Sequence, residues 1–234
     1  MKNVVDNAVG LAQIWPPFGL QVVATDERRR IELRALRDEH IAQLAGVTPE
    51  DIYGTDVPEY AFSWLFGQPP VWAGAQFRWG HRASMSPQEW TLDCGVFLDG
   101  QLCGVVDLRA QNFAQTREVE TGSWIYHRYQ GQGIGTLVRH AVAVMCFEHL
   151  GAHSLRSGWV VGNAASAAVS AKLGYKVYRT AVNGPNGPDG VELPVEDARL
   201  DRKDYQPGGV RVQVSGVTPQ LRALLGIDGP GMTG

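Results

Sequence analysis

The sequence predicts an α/β fold, a mixed and mostly antiparallel sheet flanked by helices. Three observations carry that expectation. Residues 90–98 and 101–108 are β-rich runs joined by Asp99-Gly100, which is two-residue hairpin chemistry. A third β-rich run, 119–126, leads into Gly131, Gly133 and Gly135 at alternate positions, and an apolar helix opens directly after them. Strand and helix patterns then alternate through 154–161, 164–173 and 175–180.

Taken in order, residues 1–24 read as a leading arm with a Trp-Pro-Pro corner at Trp15. Ile31–Leu36 alternates as a strand, and a helix starts at Arg37 and runs to about Ala45 with His40 on its exposed face. Residues 46–89 hold five prolines and the tryptophans Trp64, Trp72 and Trp79, so short helices and loops are expected there. Such a segment is a lid over a cleft, a partner surface or ordinary packing. After the 90–108 hairpin comes a turn around Gln111–Arg117 and the strand at 119–126. In the helix over 133–150, Leu137, Val138, Ala141, Val142 and Met145 form an apolar stripe. Val144 and Phe147 widen the stripe, so the helix is expected to be covered on more than one side. Gly151 stops it. Asn163 is a good N-cap for 164–173, with Gly174 as its C′ glycine. A Pro/Gly loop is expected at 183–190, a returning strand at 191–201, an extra strand at 210–214 and a short helix at 219–225. The domain reading is one unit over 1–234. Its additions are the arm at 1–24, an aromatic, Pro-rich insertion at 46–89 and a strand extension at 207–234.

Composition narrows the function classes. A hydrophobic fraction of 44% and seven tryptophans fill a sizeable core. A net charge of −3 argues against a nucleic-acid surface. No apolar run approaches the ~20 residues of a membrane span, and Asp6 and Asn7 break the opening stretch as a signal peptide. The chain therefore reads as cytoplasmic. Cys94, Cys103 and Cys146 make no disulfide framework. With Asp99-Gly100 as the turn, Cys103 is expected opposite Val96 and diagonal to Cys94, at ~7–8 Å, too far for an easy bridge. The six histidines show no metal-ligand spacing.

The strand–glycine–helix order at 119–136 makes a ring of backbone N–H groups at a helix N-terminus, a seat for phosphate. A dinucleotide fingerprint starting at Gly131 needs glycine at 136, where Thr136 stands. A Walker loop needs a Gly-Lys-Ser/Thr ending that the chain lacks.

Gln130-Gly131-Gln132-Gly133-Ile134-Gly135 resembles the Q/R-x-x-G-x-G/A pyrophosphate loop of the GCN5-related N-acetyltransferases, the GNAT superfamily. Asn163 to Ser166 and Lys172-Leu173-Gly174-Tyr175 are similar to that family's N-x-x-S/A and K-L-G-F/Y segment. The likeness covers about 92–178. Gly122-Ser123-Trp124 resembles the ribosomal-protein N-terminal acetyltransferase branch. Trp15 to Leu20, Arg128 to Gly131 and the Val-Arg-Val tail near 210 are similar to actinobacterial members that use succinyl-CoA.

The resemblance implies a sheet splayed between its central strands and transfer of an acetyl or succinyl group from CoA to a primary amine by direct attack. It implies no permanently bound cofactor, with acetyl-CoA or succinyl-CoA as cosubstrate. Gln130, Gly131, Gln132, Gly133, Ile134, Gly135 and Thr136 would hold the pyrophosphate, and Trp124, Ile125, Asn163 and Ser166 would line the pantetheine path. The oxyanion would meet a backbone N–H near Ile125. Glu120 is the expected general base, half-buried beside Trp124 with a raised pKa, and Glu118 and Asp107 stand in reserve. Ser170 occupies the place of the tyrosine that protonates the leaving thiolate in many members. Ser166 and Ser170 share a helical face with Asn163 and offer a hydroxyl line toward the thiol. Lys172 reads as a solvated helix end, and His127 as a solvent-facing ring beside the loop. A succinyl carboxylate would need a cation, for which Arg78, Arg82 and Arg109 are candidates. The alternative is a non-catalytic acyl-CoA-binding module with a degenerate site, and a nucleotide-binding oxidoreductase is a third class. The expected partners are acyl-CoA, an amine on a small molecule or protein, and a second copy of the chain. The 60–90 segment and the strand near Val210 are candidate dimer surfaces.

Overall fold

The computed structural model describes residues 10–67, 70–187 and 189–228. Its strands are β1 (Gln21–Thr25), β2 (Arg30–Ala35), β3 (Glu89–Leu98), β4 (Gln101–Gln111), β5 (Glu118–Ile125), β6 (Ser154–Val160), β7 (Lys176–Asn186), β8 (Val191–Asp201) and β9 (Arg211–Ser215). Its helices are α1 (Asp38–Leu44), α2 (Pro49–Tyr53), α3 (Val71–Ser84), the single turn α4 (Phe113–Thr116), α5 (Ile134–Val144), α6 (Ala164–Leu173) and α7 (Pro219–Leu224). The strands form one sheet in the order β7-β8-β6-β5-β4-β3-β2-β1-β9, antiparallel except between β5 and β6.

That one parallel junction opens. Glu118 pairs with Ser154, Val119 with Leu155 and Glu120 with Arg156, and the ladder stops there. β5 nevertheless stays paired to β4 as far as Ile125, and β6 stays paired to β8 as far as Val160. Each strand is held straight by its outer neighbour while the two part from each other. The sheet is therefore splayed at its middle, as expected.

α5 lies across one face of the sheet. Leu137, Val138, Ala141, Val142 and Met145 are all at most 1% exposed, so the sequence's apolar stripe is the core. Arg139 and His140 are buried as well, which confirms cover on more than one side. The helix continues through a π-helical turn at Met145–Leu150 and ends at Gly151 with φ +75°.

Several local expectations fail, each for a tertiary reason. Residues 21–25 are not part of an arm: they form β1, between β2 and β9. Val22 and Ala24 fill the core, and five residues alone gave too short a pattern to read as a strand. The 183–190 loop is strand through Asn186, because β7 goes on pairing with β8 as far as Asn186 with Val191. A bulge between Val96 and Phe97 sets Val96 opposite Gly104 and Cys94 opposite Val106, so Cys103 does not face Val96. The three cysteines are free and buried, and burial pushes the Cys103 thiol up to about 11. His40 is not on an exposed face. Its Nδ1 accepts the Arg37 N–H at 3.1 Å and its ring packs edge-on to Phe97 at 5.0 Å, where burial lowers its pKa. The 46–89 segment contains α3, fourteen residues long, where only short helices were expected.

The C-terminal residues complete the core. Leu221 and Leu225 are fully buried, and Trp90 donates its indole N–H to the Leu225 carbonyl at 2.9 Å. Met1 to Val9, Gln68, Pro69, Pro188 and residues 229–234 lie outside the described residues, and with them part of the expected arm, of the 183–190 loop and of the tail.

Candidate active site

The glycine loop joins β5 to α5. Gly131 and Gly133 have φ +70° and +82°, the left-handed region where a side chain is strained. Gly133 is the N-cap and supplies no side chain. The Leu137 N–H closes the first helical bond on the Gly133 carbonyl at 3.1 Å. The N–H groups of Ile134, Gly135 and Thr136 thus have no intrahelical partner. The Ile134 side chain is buried, so at that position the loop presents backbone. Gly135 has room for a Cβ, with Val169 the nearest atom at 3.9 Å, so the loop conformation rests on two glycines rather than three.

Gln130 has a structural task. Its side-chain amide donates to the Ile52 carbonyl at 2.6 Å and the Ile125 carbonyl at 2.8 Å, tying α2 to the end of β5. Gln132 donates to the Arg128 carbonyl at 3.1 Å and firms the same turn. The His127 ring lies against Gly54, where an added Cβ would sit 2.8 Å from it, so it faces α2 on one side. Arg29, in the β1–β2 turn, reaches within 3.4 Å of the Cβ position at Gly133. That cation beside the loop was missed, because nothing in the sequence brings residue 29 next to residue 133.

At the end of β5 the Tyr126 N–H donates to the Cys103 carbonyl at 2.9 Å. Backbone groups alternate along an antiparallel ladder, so the N–H and carbonyl of Ile125 point the other way, into the gap. The carbonyl is taken by Gln130 and the N–H lies beyond the last β6 pairing. Trp124 is half-buried on the opposite face, edge-on to Tyr126 at 5.0 Å.

Across the gap, Asn163 caps α6 by accepting the Ser166 N–H at 3.1 Å. Ser166 is half-buried. Ser170 is not placed as expected: it is 0% exposed, and its Oγ has no hydrogen-bond partner. The Ser170 hydroxyl is sealed beneath α6 in this conformation, so of the expected hydroxyl line only Ser166 is accessible. Lys172 is exposed at the helix end.

A second missed residue sits where the strands part. Arg139, 6% exposed on α5, donates to Thr121 Oγ1 at 2.6 Å and to Ser157 Oγ at 2.8 Å. Thr121 in turn donates to the Arg156 carbonyl at 3.1 Å. Arg139 thus spans β5 and β6 one residue beyond their last pairing. No carboxylate lies within ion-pair distance of it among the described residues. The available signal was a lone cation inside an apolar helix, at a position where a buried charge costs free energy unless it is hydrogen-bonded.

The outer face of the sheet carries the acids. Glu120 is 49% exposed on its side chain and pairs with Arg109 at 3.1 Å, so the half-burial expected of it is absent. Glu118 is occupied by Arg156 at 3.2 Å, Arg199 at 2.9 Å and Ser154. Asp107 stands one strand over, paired in register with Gly122, and its Oδ2 meets Arg109 Nε at 3.1 Å. Burial is the main cause that raises its pKa above the ordinary carboxylate range, and nearby Asp93 adds to it, while Arg109, Arg78 and His81 oppose it. Asp93, next in the same row on β3, accepts from His81 Nδ1 at 2.9 Å and Arg78 Nη1 at 3.4 Å, both on α3. Arg82 is paired with Asp38 at 3.0 Å. Each arginine offered for a succinyl carboxylate therefore already holds an acid of the protein. Among the described residues no group of His, Cys, Asp or Glu is arranged to hold a metal ion.

The splayed strands, the bare helix N-terminus and the residues between them define a coenzyme A-type acyltransferase architecture. A model of the acetyltransferase (GNAT) domain matches residues 30–176, more than half of the chain, and the chain belongs to the GNAT acetyltransferase family. A curated Bacillus subtilis (strain 168) protein, "Putative ribosomal N-acetyltransferase YdaF", is 33% identical over 85 residues. That match spans 36% of this chain and 45% of the relative, less than half of the relative's length. Among solved structures, Mycobacterium smegmatis RimJ in complex with CoA-disulfide superposes with a TM-score of 0.63 at 19% identity, covering 81% of this chain and 89% of that one. The spermidine N-acetyltransferase of Vibrio cholerae, in complex with CoA and spermine, gives 0.59 at 14%, covering 75% and 97%. At these identities the two structures share the fold with this chain. No helix among the described residues is long and apolar enough to cross a membrane.

Proposed function

We propose that this chain is an acyl-CoA-dependent N-acyltransferase, acting as one unit, that transfers an acetyl group from CoA to a primary amine by direct attack. The observation that carries the reading is the parting of β5 and β6 after Glu120 beside an uncapped helix N-terminus. A thioester arm added along the free edge of β5 would find strand-like partners, with its diphosphate on the N–H groups of residues 134–136. The Ile125 N–H supports the tetrahedral oxyanion. Among the described residues no side chain in the gap is placed as a nucleophile. Cys146 is buried in the helix layer, its thiol pushed far up by desolvation.

Acetyl is the donor the family supports. A succinyl donor belongs to the same proposal as its finer form: its carboxylate would compete for Arg109, half exposed between Asp107 and Glu120. A cytoplasmic location and a homodimer complete the reading. The dimer rests on the exposed apolar side chains of Trp64, Val71, Trp72 and Phe77. Light scattering at two concentrations reads it, and a monomer at both removes it.

The buried, unpartnered Ser170 favours one rival, a CoA-binding module without turnover. A thiol pKa near 8.5 makes thiolate a tolerable leaving group, so a dedicated acid is dispensable. Thermal shift with CoA, acetyl-CoA, succinyl-CoA, NAD and ATP tests the seat. A ligand at 100 times its Kd stabilises by about 2.7 kcal/mol. The expected result is a rise with CoA and its thioesters. A shift with NAD alone ends the reading. Intact-mass analysis of polyamines, peptide N-termini and lysine peptides incubated with each acyl-CoA tests turnover, and CoA binding with no amine acylated leaves the rival standing.

A further inference from the structure

Asp93, Asp107 and Gly122 form a row across β3, β4 and β5, consecutive partners on the outer face of the sheet. Gly122 is open on that face, and the Asp107 carboxylate leans into the opening. A Cβ built on Gly122 would lie 2.9 Å from Asp107 Oδ1. A glycine at 122 is therefore what lets a carboxylate rest against the backbone of β5. Oδ2 is taken by Arg109, which leaves Oδ1 turned toward β5. The cover on this side is α3, whose Arg78 and His81 hold Asp93.

We propose that Asp107, rather than Glu120, takes the proton from the attacking amine, with Arg109 holding its other oxygen and Asp93, itself held by His81 and Arg78, as its like-charged neighbour. This rests on the acyltransferase reading above. Along a strand rising about 3.3 Å per residue, Gly122 lies roughly 10 Å from the Ile125 amide and Glu120 roughly 17 Å. A base must come within hydrogen-bond reach of the amine, directly or through one water. Asp107 is the nearer acid, the less exposed at 29% against 49%, and it keeps one oxygen free of its arginine. In the step, the neutral amine nitrogen forms a C–N bond to the thioester carbon and its proton passes to Asp107 Oδ1. The tetrahedral intermediate collapses with cleavage of the C–S bond. The departing thiolate takes that proton from the Asp107 carboxyl, directly or relayed through a water, and Asp107 is again a carboxylate.

The charged groups facing Asp107 are Asp93 on β3, Arg109 on its own strand, and Arg78 and His81 on α3. Activity requires the ionised form, so kcat/KM rises with pH through the Asp107 pKa, which burial holds above the ordinary carboxylate range. Asp107→Asn is expected to lower kcat at least about 100-fold with CoA affinity unchanged, and to remove this acidic limb. Asp93→Asn takes away a like charge and is expected to move the limb to lower pH. A melt gives a readout independent of catalysis. A folded-state pKa raised above the unfolded value makes the ionised carboxylate a cost at neutral pH. Asp107→Asn should therefore melt higher than the parent at pH 8, with the gain shrinking as pH falls through the carboxylate range. The proposal is overturned if Asp107→Asn keeps turnover within threefold, or if Glu120→Gln abolishes turnover while Asp107→Asn does not. A parent protein that acylates no amine at all sinks the acyltransferase reading instead, and the melt still decides the state of Asp107.

Discussion

At the scale of single residues, backbone conformation decides what the loop can hold. Gly131 has open space around its missing Cβ, so a side chain there meets no atom and only the positive φ opposes it. That strain is about 1–2 kcal/mol for an L residue. Gly131→Ala should therefore relax the turn toward negative φ, swing the neighbouring N–H groups and weaken CoA binding about tenfold, with little change in melting temperature. Titration calorimetry with CoA reads this. Unaltered affinity would mean that the turn does not set the phosphate seat. The glycines alone would equally fit a tight strand–helix turn; the loop became legible because the Gln130–Gly135 spacing and the Asn163 to Tyr175 segment resemble one family together. The sequence did not make Asp107 legible as the leading acid. Glu120 and Asp107 face the same side of the sheet, and the difference between them lies in Arg109 and in the cover from α3.

At the scale of elements, the opening between β5 and β6 needs something to hold it. Two strands that run parallel for three residues gain ladder hydrogen bonds by staying together, yet past Glu120 β5 stays paired only with β4 and β6 only with β8. Arg139 supplies two bonds across the gap where the ladder ends. Hydrogen bonds to a charged donor contribute roughly 1.5–3 kcal/mol each, offset by the cost of burying the guanidinium. We expect Arg139→Met to lose a net of about 2 kcal/mol, a fall of roughly 4–8 °C in Tm, and to weaken CoA binding alongside. A variant with parental Tm and parental CoA affinity would show that β4 and β8 alone fix the opening. Periodicity located both strands and the helix between them. It gave Arg139 only as a lone cation inside an apolar helix, and could not say what the guanidinium spans, because its partners Thr121 and Ser157 lie on two different strands.

At the scale of the whole molecule, the two ends of the chain meet in one core. β1 and β9 extend the sheet past β2, and α7 closes the layer with Leu221 and Leu225 against Trp90. Leu221→Ala leaves a cavity far from the gap. It should cost about 2–5 kcal/mol, or roughly 4–20 °C in Tm, with CoA affinity unchanged well below the melt. A Tm within 2 °C of the parent would mean that α7 is a peripheral attachment.

The sequence by itself determined most of the local elements and singled out the glycine loop as a candidate phosphate seat. Those depend on periodicity, turn glycines and caps within about twenty residues of one another: the Asp99-Gly100 turn, the stripe from Leu137 to Met145, the Asn163 cap. The tertiary structure alone decided which acid leans on β5, what spans the opening between β5 and β6 and which serine is sealed beneath α6. Each of those follows from contacts between residues far apart in the chain, such as His81 with Asp93 and Arg139 with Ser157, and no local pattern encodes a distance across a sheet.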